Sequence, residues 1–218
     1  MGTSLLVLYG ISKSKISLAK ILYSLTMNGH KIINQNGLHF LTPTVVGWID
    51  VFTRKKYKDT IVESLEYCMQ HKGMQLFAFV IMSNHIHLIV KAKEGYFLSD
   101  IIRDFKTYTS KAIFREIKAN PEESRSEWML RLFKNHARFN SKNKEYQFWK
   151  KDNKPIKLTS PDWINKRIMY IHNNPVNSGT VNKPENYIYS SASNYVHGKG
   201  VLDVSCIDLG FDIGFVNG

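Results

Sequence analysis

The stretch from Gln75 to Val90 does most to limit what this chain can become. It is a long apolar run rich in Phe, Val and Ile. It reads as one strand, or as two with a break near Met82-Ser83-Asn84. His85 and His87 stand inside it. Side chains alternate faces along a strand, so both imidazoles point to one side, and Ile86 and Leu88 point to the other, under packed helices. Two neutral imidazoles side by side on a sheet are a common way to hold one divalent metal. The same pair also occurs at surfaces with no role. A zinc site would want further Cys or His ligands. Cys68 lies on the apolar stripe of a helix and Cys206 in the tail, which favours a harder metal completed by oxygen ligands.

The surrounding patterns predict an α+β chain. Leu38 to Val46 reads as a strand with Pro43 marking an edge or bulge. Arg54 to Lys72 is an amphipathic helix, with Tyr57, Ile61, Leu65, Cys68 and Met69 at helical spacing and Gly73 as its stop. Ser99 is expected to cap a second helix to about Lys118, with Ile101, Ile102, Phe105, Ala112 and Ile113 inward. Ser126 to Phe139 has a third helical pattern. Tyr146 to Leu158 reads as a short hairpin around Asp152-Asn153. Ser160-Pro161-Asp162 is a strong helix start, and that helix is expected to end near Asn173, ahead of Pro175. The sum is a mainly antiparallel sheet with helices packed on one side.

Charge suggests a class of partner. The 218 residues carry 30 Lys+Arg and 18 Asp+Glu, a formal +12. Residues 101–175 hold 17 basic and 8 acidic side chains, whereas residues 176–218 hold 2 and 4. The excess therefore sits in the middle, where aromatics are interleaved, as in Phe148-Trp149-Lys150-Lys151. Basic groups neutralise phosphates and aromatic faces stack unpaired bases. A solvated basic surface over an aromatic core fits the same composition. With 43% hydrophobic residues the chain has material for a core, so a disordered tail is excluded. No apolar run approaches the roughly 20 residues of a membrane span. Two cysteines make no disulfide framework, and a cytoplasmic setting is expected. Residues 1–26 read as a leader of no inferred function with Met27 as an alternative start, and 197–218 as a C-terminal tail.

The helix after Ser160 adds a second chemical candidate. Tyr170 and Asn174 are four apart and share one face. An amide oxygen there can complete a metal shell while the phenol points at the same phosphate, and a phenolate is a competent nucleophile. Packing for Tyr170, and a simple helix stop for Asn174-Pro175, are the plainer alternatives. Lys166 and Arg167 lie one turn upstream and suit a phosphate backbone. His172 is expected at the surface. Tyr108, on the stripe of Phe105 and Ala112, is expected in the core, and Lys106 beside it suits a phosphate contact.

Together these stretches resemble the HUH single-tyrosine transposases (IS200-like), and within them the REP-associated tyrosine transposase branch. The carriers are Val45-Val46-Gly47-Trp48-Ile49-Asp50-Val51-Phe52, Met82-Ser83-Asn84-His85-Ile86-His87-Leu88-Ile89, Asp104-Phe105-Lys106 and Tyr170-Ile171-His172-Asn173-Asn174-Pro175-Val176. Pro184-Glu185-Asn186-Tyr187 with Ser190-Ser191 is similar to that branch's C-terminal signature. The likeness spans about residues 28–196, taken as a catalytic domain over 27–196. It implies a ferredoxin-like antiparallel sheet, and Mg²⁺ or Mn²⁺ held by His85, His87 and an oxygen of the tyrosine helix. In insertion-sequence relatives that oxygen is a glutamine's; Asn174 stands there here, one methylene shorter, with a bridging water to make up the reach. The implied activity is cutting and rejoining hairpin-containing single-stranded DNA through a 5′-phosphotyrosine on Tyr170. Lys106, Trp149, Lys150, Lys151, Lys166 and Arg167 would contact the DNA. A monomer or a homodimer both fit. The competing classes are a domesticated, non-catalytic nucleic-acid-binding protein and, further off, a zinc hydrolase.

Overall fold

A computed structural model describes residues 32–138 and 145–208. The expected leader, and the tail beyond residue 208, lie outside the described residues. Four strands form one antiparallel sheet: β1 (His39–Leu41), β2 (Met74–Ile81), β3 (Ile86–Ala92) and β4 (Ile156–Lys157). Their order across the sheet is β2-β3-β1-β4. The connections run through α1 (Lys55–His71), between β1 and β2, and α2 (Leu98–Ala119) with α3 (Ser126–Arg138), between β3 and β4. This is the split βαββαβ arrangement of a ferredoxin-like sheet. The fold is α+β, as the patterns predict.

The apolar run breaks at Met82-Ser83-Asn84 into the β2–β3 hairpin. Met82 N–H donates to the His85 carbonyl at 2.9 Å to close the turn. Register pairs Val80 with His87, and Phe40 of β1 with Ile89, so Phe40, His87 and Ile89 share one face. Ile86 and Leu88 point to the opposite face and are fully buried. Tyr57, Ile61 and Leu65 of α1 and Ile101, Ile102 and Phe105 of α2 belong to the same core, and these two helices pack on each other.

Four details differ from the sequence patterns. First, α2 begins at Leu98, and Ser99 is not its cap. The Ser99 N–H is instead satisfied by Gln35 Oε1 at 2.9 Å, a partner 64 residues away. Second, Tyr146 to Leu158 is no hairpin. Both its arms pair with the β1 side: Val46 N–H to the Phe148 carbonyl (2.8 Å), Lys150 N–H to that of Thr44 (2.8 Å), Thr42 N–H to that of Asn153 (3.1 Å) and Leu158 N–H to that of Leu38 (2.8 Å). The Asp152-Asn153 turn signal marks an irregular edge strand, with Lys154 at φ 42°. Third, α4 (Pro161–Asn177) runs through Pro175. The proline removes one ladder bond, and Ser178 N–H restores the pattern by donating to the Asn174 carbonyl at 3.0 Å. The start is as expected: Ser160 Oγ accepts from the Trp163 N–H at 3.4 Å. Fourth, helices are not confined to one side, because α4 packs on β2 and β3 with Tyr170 beside His87.

The outer edge of β2 is covered by the chain's C-terminal part. Ile81 N–H donates to the Tyr189 carbonyl (2.9 Å), Ser191 N–H to that of Phe79 (3.0 Å) and Ser205 N–H to that of Leu76 (2.9 Å). Tyr187 and Tyr195 hydroxyls donate to the carbonyls of Ile81 (2.7 Å) and Phe77 (3.0 Å). An edge strand's free polar groups are thereby paired within the molecule. A short helix, α5 (Ala192–His197), follows. His172 is wholly buried here, contrary to its expected surface position. Its Nε2 lies 2.9 Å from Ser191 Oγ, which also accepts from the Phe79 N–H at 2.9 Å.

Burial pushes the His172 imidazole down to about 3. The unfolded chain therefore takes up a proton between about pH 6.5 and 3 that the folded chain does not. The stability this neutral histidine supplies is present above pH 6.5 and is lost as pH falls toward 3. Urea midpoints should drop from pH 7 to pH 4, and His172→Gln should make that drop shallower. Ser191→Ala should cost roughly 1–3 kcal/mol at pH 7 by leaving the Phe79 N–H and His172 Nε2 short of a partner.

Candidate active site

The histidine pair stands at the start of β3, on the sheet face where α4 lies. The imidazole centroids are 4.8 Å apart. Phe40 stacks on His87 at 5.2 Å, and the Tyr170 ring meets His87 edge to face at 5.1 Å. The same Tyr170 ring is 6.1 Å from Phe40 and 44% exposed, so it borders both the core and solvent. Arg167, one turn earlier, places its guanidinium carbon 4.8 Å from the Phe40 centroid and 5.9 Å from that of Tyr170. The structure thus brings His85, His87, Tyr170 and Arg167 together from β3 and α4.

Each imidazole has one nitrogen engaged on the Nδ1 side. His85 Nδ1 lies 2.7 Å from Asn84 Oδ1. The Asn84 Nδ2 donates to the Trp48 carbonyl at 3.3 Å, which fixes its oxygen toward His85. Nδ1 of His85 must then carry the hydrogen, leaving the lone pair on Nε2. His87 Nδ1 lies 2.9 Å from Thr42 Oγ1, while its Nε2 is buried with no hydrogen-bond partner. Burial, with His85 and Arg167 adding positive charge nearby, pushes His87 down to about 3, and burial lowers His85 too. Both rings are therefore neutral at pH 7. A neutral imidazole with an oxygen-bonded Nδ1 and an unclaimed Nε2 is the form that ligates a cation. The pair fits a divalent metal. Among the described residues no third His, Cys, Asp or Glu forms a cluster with it. The remaining ligands would be an amide oxygen, water or the substrate itself. Asn174 Nδ2 donates to the Tyr170 carbonyl at 2.6 Å, leaving Oδ1 as the amide's acceptor atom.

Other predicted site residues lie elsewhere or are already used. Trp149 is buried, its ring against Phe52, Phe105 and Phe148, and its Nε1–H donates to Thr109 Oγ1 at 3.0 Å. It offers no face to a base. Lys106 is drawn inward: Nζ donates to the Lys150 carbonyl (2.7 Å) and Asn153 Oδ1 (2.8 Å), and burial pushes it down to about 8. It ties α2 to the irregular edge strand. Lys151 and Lys166 are exposed. Lys150 places Nζ 4.0 Å from the Trp48 ring centroid. Tyr108 is 57% exposed and lies on the wall of a cavity of about 620 Å³ between α1 and α2, so it is not core. Cys68 is buried there, its thiol pushed up to about 11 by burial. Sequence reasoning missed Phe40 of β1, which stacks on His87, and Thr42 just after that strand, whose hydroxyl lies 2.9 Å from His87 Nδ1. It also missed Asn84 as the residue that orients His85, although Asn84 stands inside the quoted motif.

The ferredoxin-like sheet thus carries two neutral histidines beside a half-exposed tyrosine on one face. The family model described as "Transposase IS200 like" matches residues 49–136. The match contains His85 and His87 and ends before Tyr170. A solved structure titled as the REP-associated tyrosine transposase bound to a REP hairpin shares the fold, with a TM-score of 0.56 at 16% identity, covering 82% of this chain and 95% of that one. A crystal structure described as a candidate transposase from Deinococcus radiodurans R1 aligns with a TM-score of 0.38 at 15% identity, over 67% and 97% of the two chains. No curated protein matches significantly. Among the described residues no helix is long and apolar enough to cross a membrane.

If Thr42 orients His87 as a ligand, Thr42→Val should weaken Mn²⁺ binding 10- to 100-fold by titration calorimetry while circular dichroism stays unchanged. His87→Ala should abolish that binding.

Proposed function

We propose that this protein cuts and rejoins hairpin-containing single-stranded DNA, with Tyr170 as the nucleophile. The observation that carries the reading is the Tyr170 ring edge-on to His87, whose Nε2 is unclaimed. The solved relative bound to a REP hairpin supports a hairpin substrate. His85, His87 and Asn174 would hold Mg²⁺ or Mn²⁺, which when bound polarises a phosphate oxygen and stabilises the charge that develops on it.

The side chains then divide the work. Lys166 and Arg167 precede Tyr170 on α4 and hold the strand's phosphates near the phenol. Lys150 and Lys151 carry the backbone across the edge-strand side. The Tyr170 oxygen attacks phosphorus, forming the Tyr–O–P bond. The bond to the 3′ oxygen breaks, and that oxygen leaves as a 3′-hydroxyl after taking up a proton. The 5′-phosphotyrosine keeps the energy of the broken phosphodiester. A second 3′-hydroxyl reverses the step and joins a new strand, with no nucleotide triphosphate consumed.

Incubating the protein with 3′-labelled single-stranded REP-type hairpin DNA and Mn²⁺ should give a protein-linked band on a denaturing gel, whereas a 5′ label should leave with the released fragment. EDTA should remove the band. Tyr170→Phe should lower the band by at least about 10³-fold, because the nucleophile is gone, whereas Tyr108→Phe should leave it intact. A gel shift with no adduct under any metal would instead favour the non-catalytic binding protein.

A further inference from the structure

Trp48 is a large aromatic held outside the core. It is 57% exposed, although its neighbours Val46, Ile49, Val51 and Phe52 are all buried. Its backbone has φ 56°, directly after Gly47 at φ 62°. A bulky residue in the left-handed region is a genuine outlier that its surroundings must maintain. They do so from several sides. The Asn84 amide holds the Trp48 carbonyl (3.3 Å), Val45 N–H donates to the Asn84 carbonyl (2.9 Å), and Phe52 N–H donates to that of Ser83 (2.8 Å). Arg125 Nη1 donates to the Asp50 carbonyl at 3.3 Å. On the α3 side, a Cβ at Gly47 would come within 2.8 Å of His136 Nε2, so the turn is closed tightly against that helix.

This scaffold fixes where the indole stands. Its centroid is 6.0 Å from that of His85, edge to face, and the same Asn84 amide that holds its carbonyl orients the His85 ring. The Lys150 ammonium lies 4.0 Å from the ring centroid, a cation–π contact. An exposed indole beside the proposed phosphate site, with a cation over its ring, has the make-up of a single-strand stacking platform. The aromatic takes a base and the ammonium takes the adjoining phosphate.

We infer that Trp48 is a base-stacking platform for the nucleotide adjoining the phosphate held at His85 and His87. This rests on the single-strand reading above and adds a positioning residue to it. Burial removed Trp149 from that role, and Trp48 supplies it from the neighbouring turn. Any base has a π-face, so the platform selects an unpaired nucleotide over a paired one and does not select among bases.

The test is a binding cycle with the full chain in EDTA, so that no strand cleavage enters. Labelled oligo(dT) and an abasic strand of the same length are titrated against wild type, Trp48→Leu and Trp48→Tyr, read by fluorescence anisotropy. Trp48→Leu should bind oligo(dT) roughly 5- to 100-fold more weakly and Trp48→Tyr nearly as well as wild type. On the abasic strand all three should bind alike. Equal loss by Trp48→Leu on both strands, or no loss on either, overturns the platform. Its failure is separable from failure of the catalytic reading, which is scored by the Mn²⁺-dependent adduct on Tyr170. Lys150→Gln should weaken binding to both strands, as a phosphate contact must.

Discussion

The register of β3 governs everything built on this sheet. Its residues are paired on both sides, Val80 with His87 toward β2 and Phe40 with Ile89 toward β1. Side chains have a period of two, so a slip of one residue would turn both histidines into the helix-covered core and bring Ile86 and Leu88 to the site. That slip would take the two imidazoles away from the Asn84 and Thr42 oxygens that engage their Nδ1 atoms, and would leave Ile86 and Leu88 where the histidines now stand. The same pairing that gives the fold its core therefore sets the chemistry of the face on which α4 lies.

The tyrosine helix reaches that face by an indirect route. Nothing in α4 pairs with a strand backbone. It is held by Ile168 and Ile171, both fully buried, and by His172, whose Nε2 meets Ser191 Oγ. Ser191 itself bonds both the N–H and the carbonyl of Phe79 on the outer edge of β2. The segment from Pro184 to Ser191 thus serves two ends. It closes a sheet edge, and it gives α4 a fixed reference to the strand that pairs with the histidine strand. This C-terminal stretch is by this route part of how α4, and Tyr170 on it, is held against the sheet.

Much of this was legible in the sequence. The paired histidines followed from period two, and α1, α2 and α4 from period 3.6 with proline and glycine punctuation. These are signals a segment carries within itself. The errors share a different character. Trp149, expected to contact DNA, is buried, whereas Tyr108, expected in the core, is exposed. Lys106 looked like a free cation and is bonded to Lys150 and Asn153, more than forty residues away. His172 looked like a surface residue and is enclosed by Ser191 and Tyr195. In each case the outcome depends on what a distant segment brings to the position. Thr42 is 45 residues from His87 and Asn84 is next to His85, and neither stood out because an orienting hydrogen bond leaves no periodic trace.

The basic excess also changes meaning once its members are placed. Of the cations in residues 101–175, Arg125 is spent on Glu123, a carboxylate with no exposed side-chain surface that is also approached by Arg54 and the Tyr57 hydroxyl. Burial alone would raise Glu123, yet the hydrogen bonds and charge of Arg125 bring it below the usual carboxylate range. Arg103 is taken up by Asp100 and Asp104, and Lys106 by the edge strand. These groups hold α1, α2 and the edge strand in place and contribute little to an external polyanion. On the proposed reading, the cations that would meet a phosphate chain are Arg167 beside Tyr170, Lys150 over Trp48, and the exposed Lys166 and Lys151 next to them in sequence. A strand crossing from the edge side toward α4 would meet them in turn around the histidine pair. Affinity for single strands should then depend on these few positions far more steeply than the formal charge of the whole chain suggests.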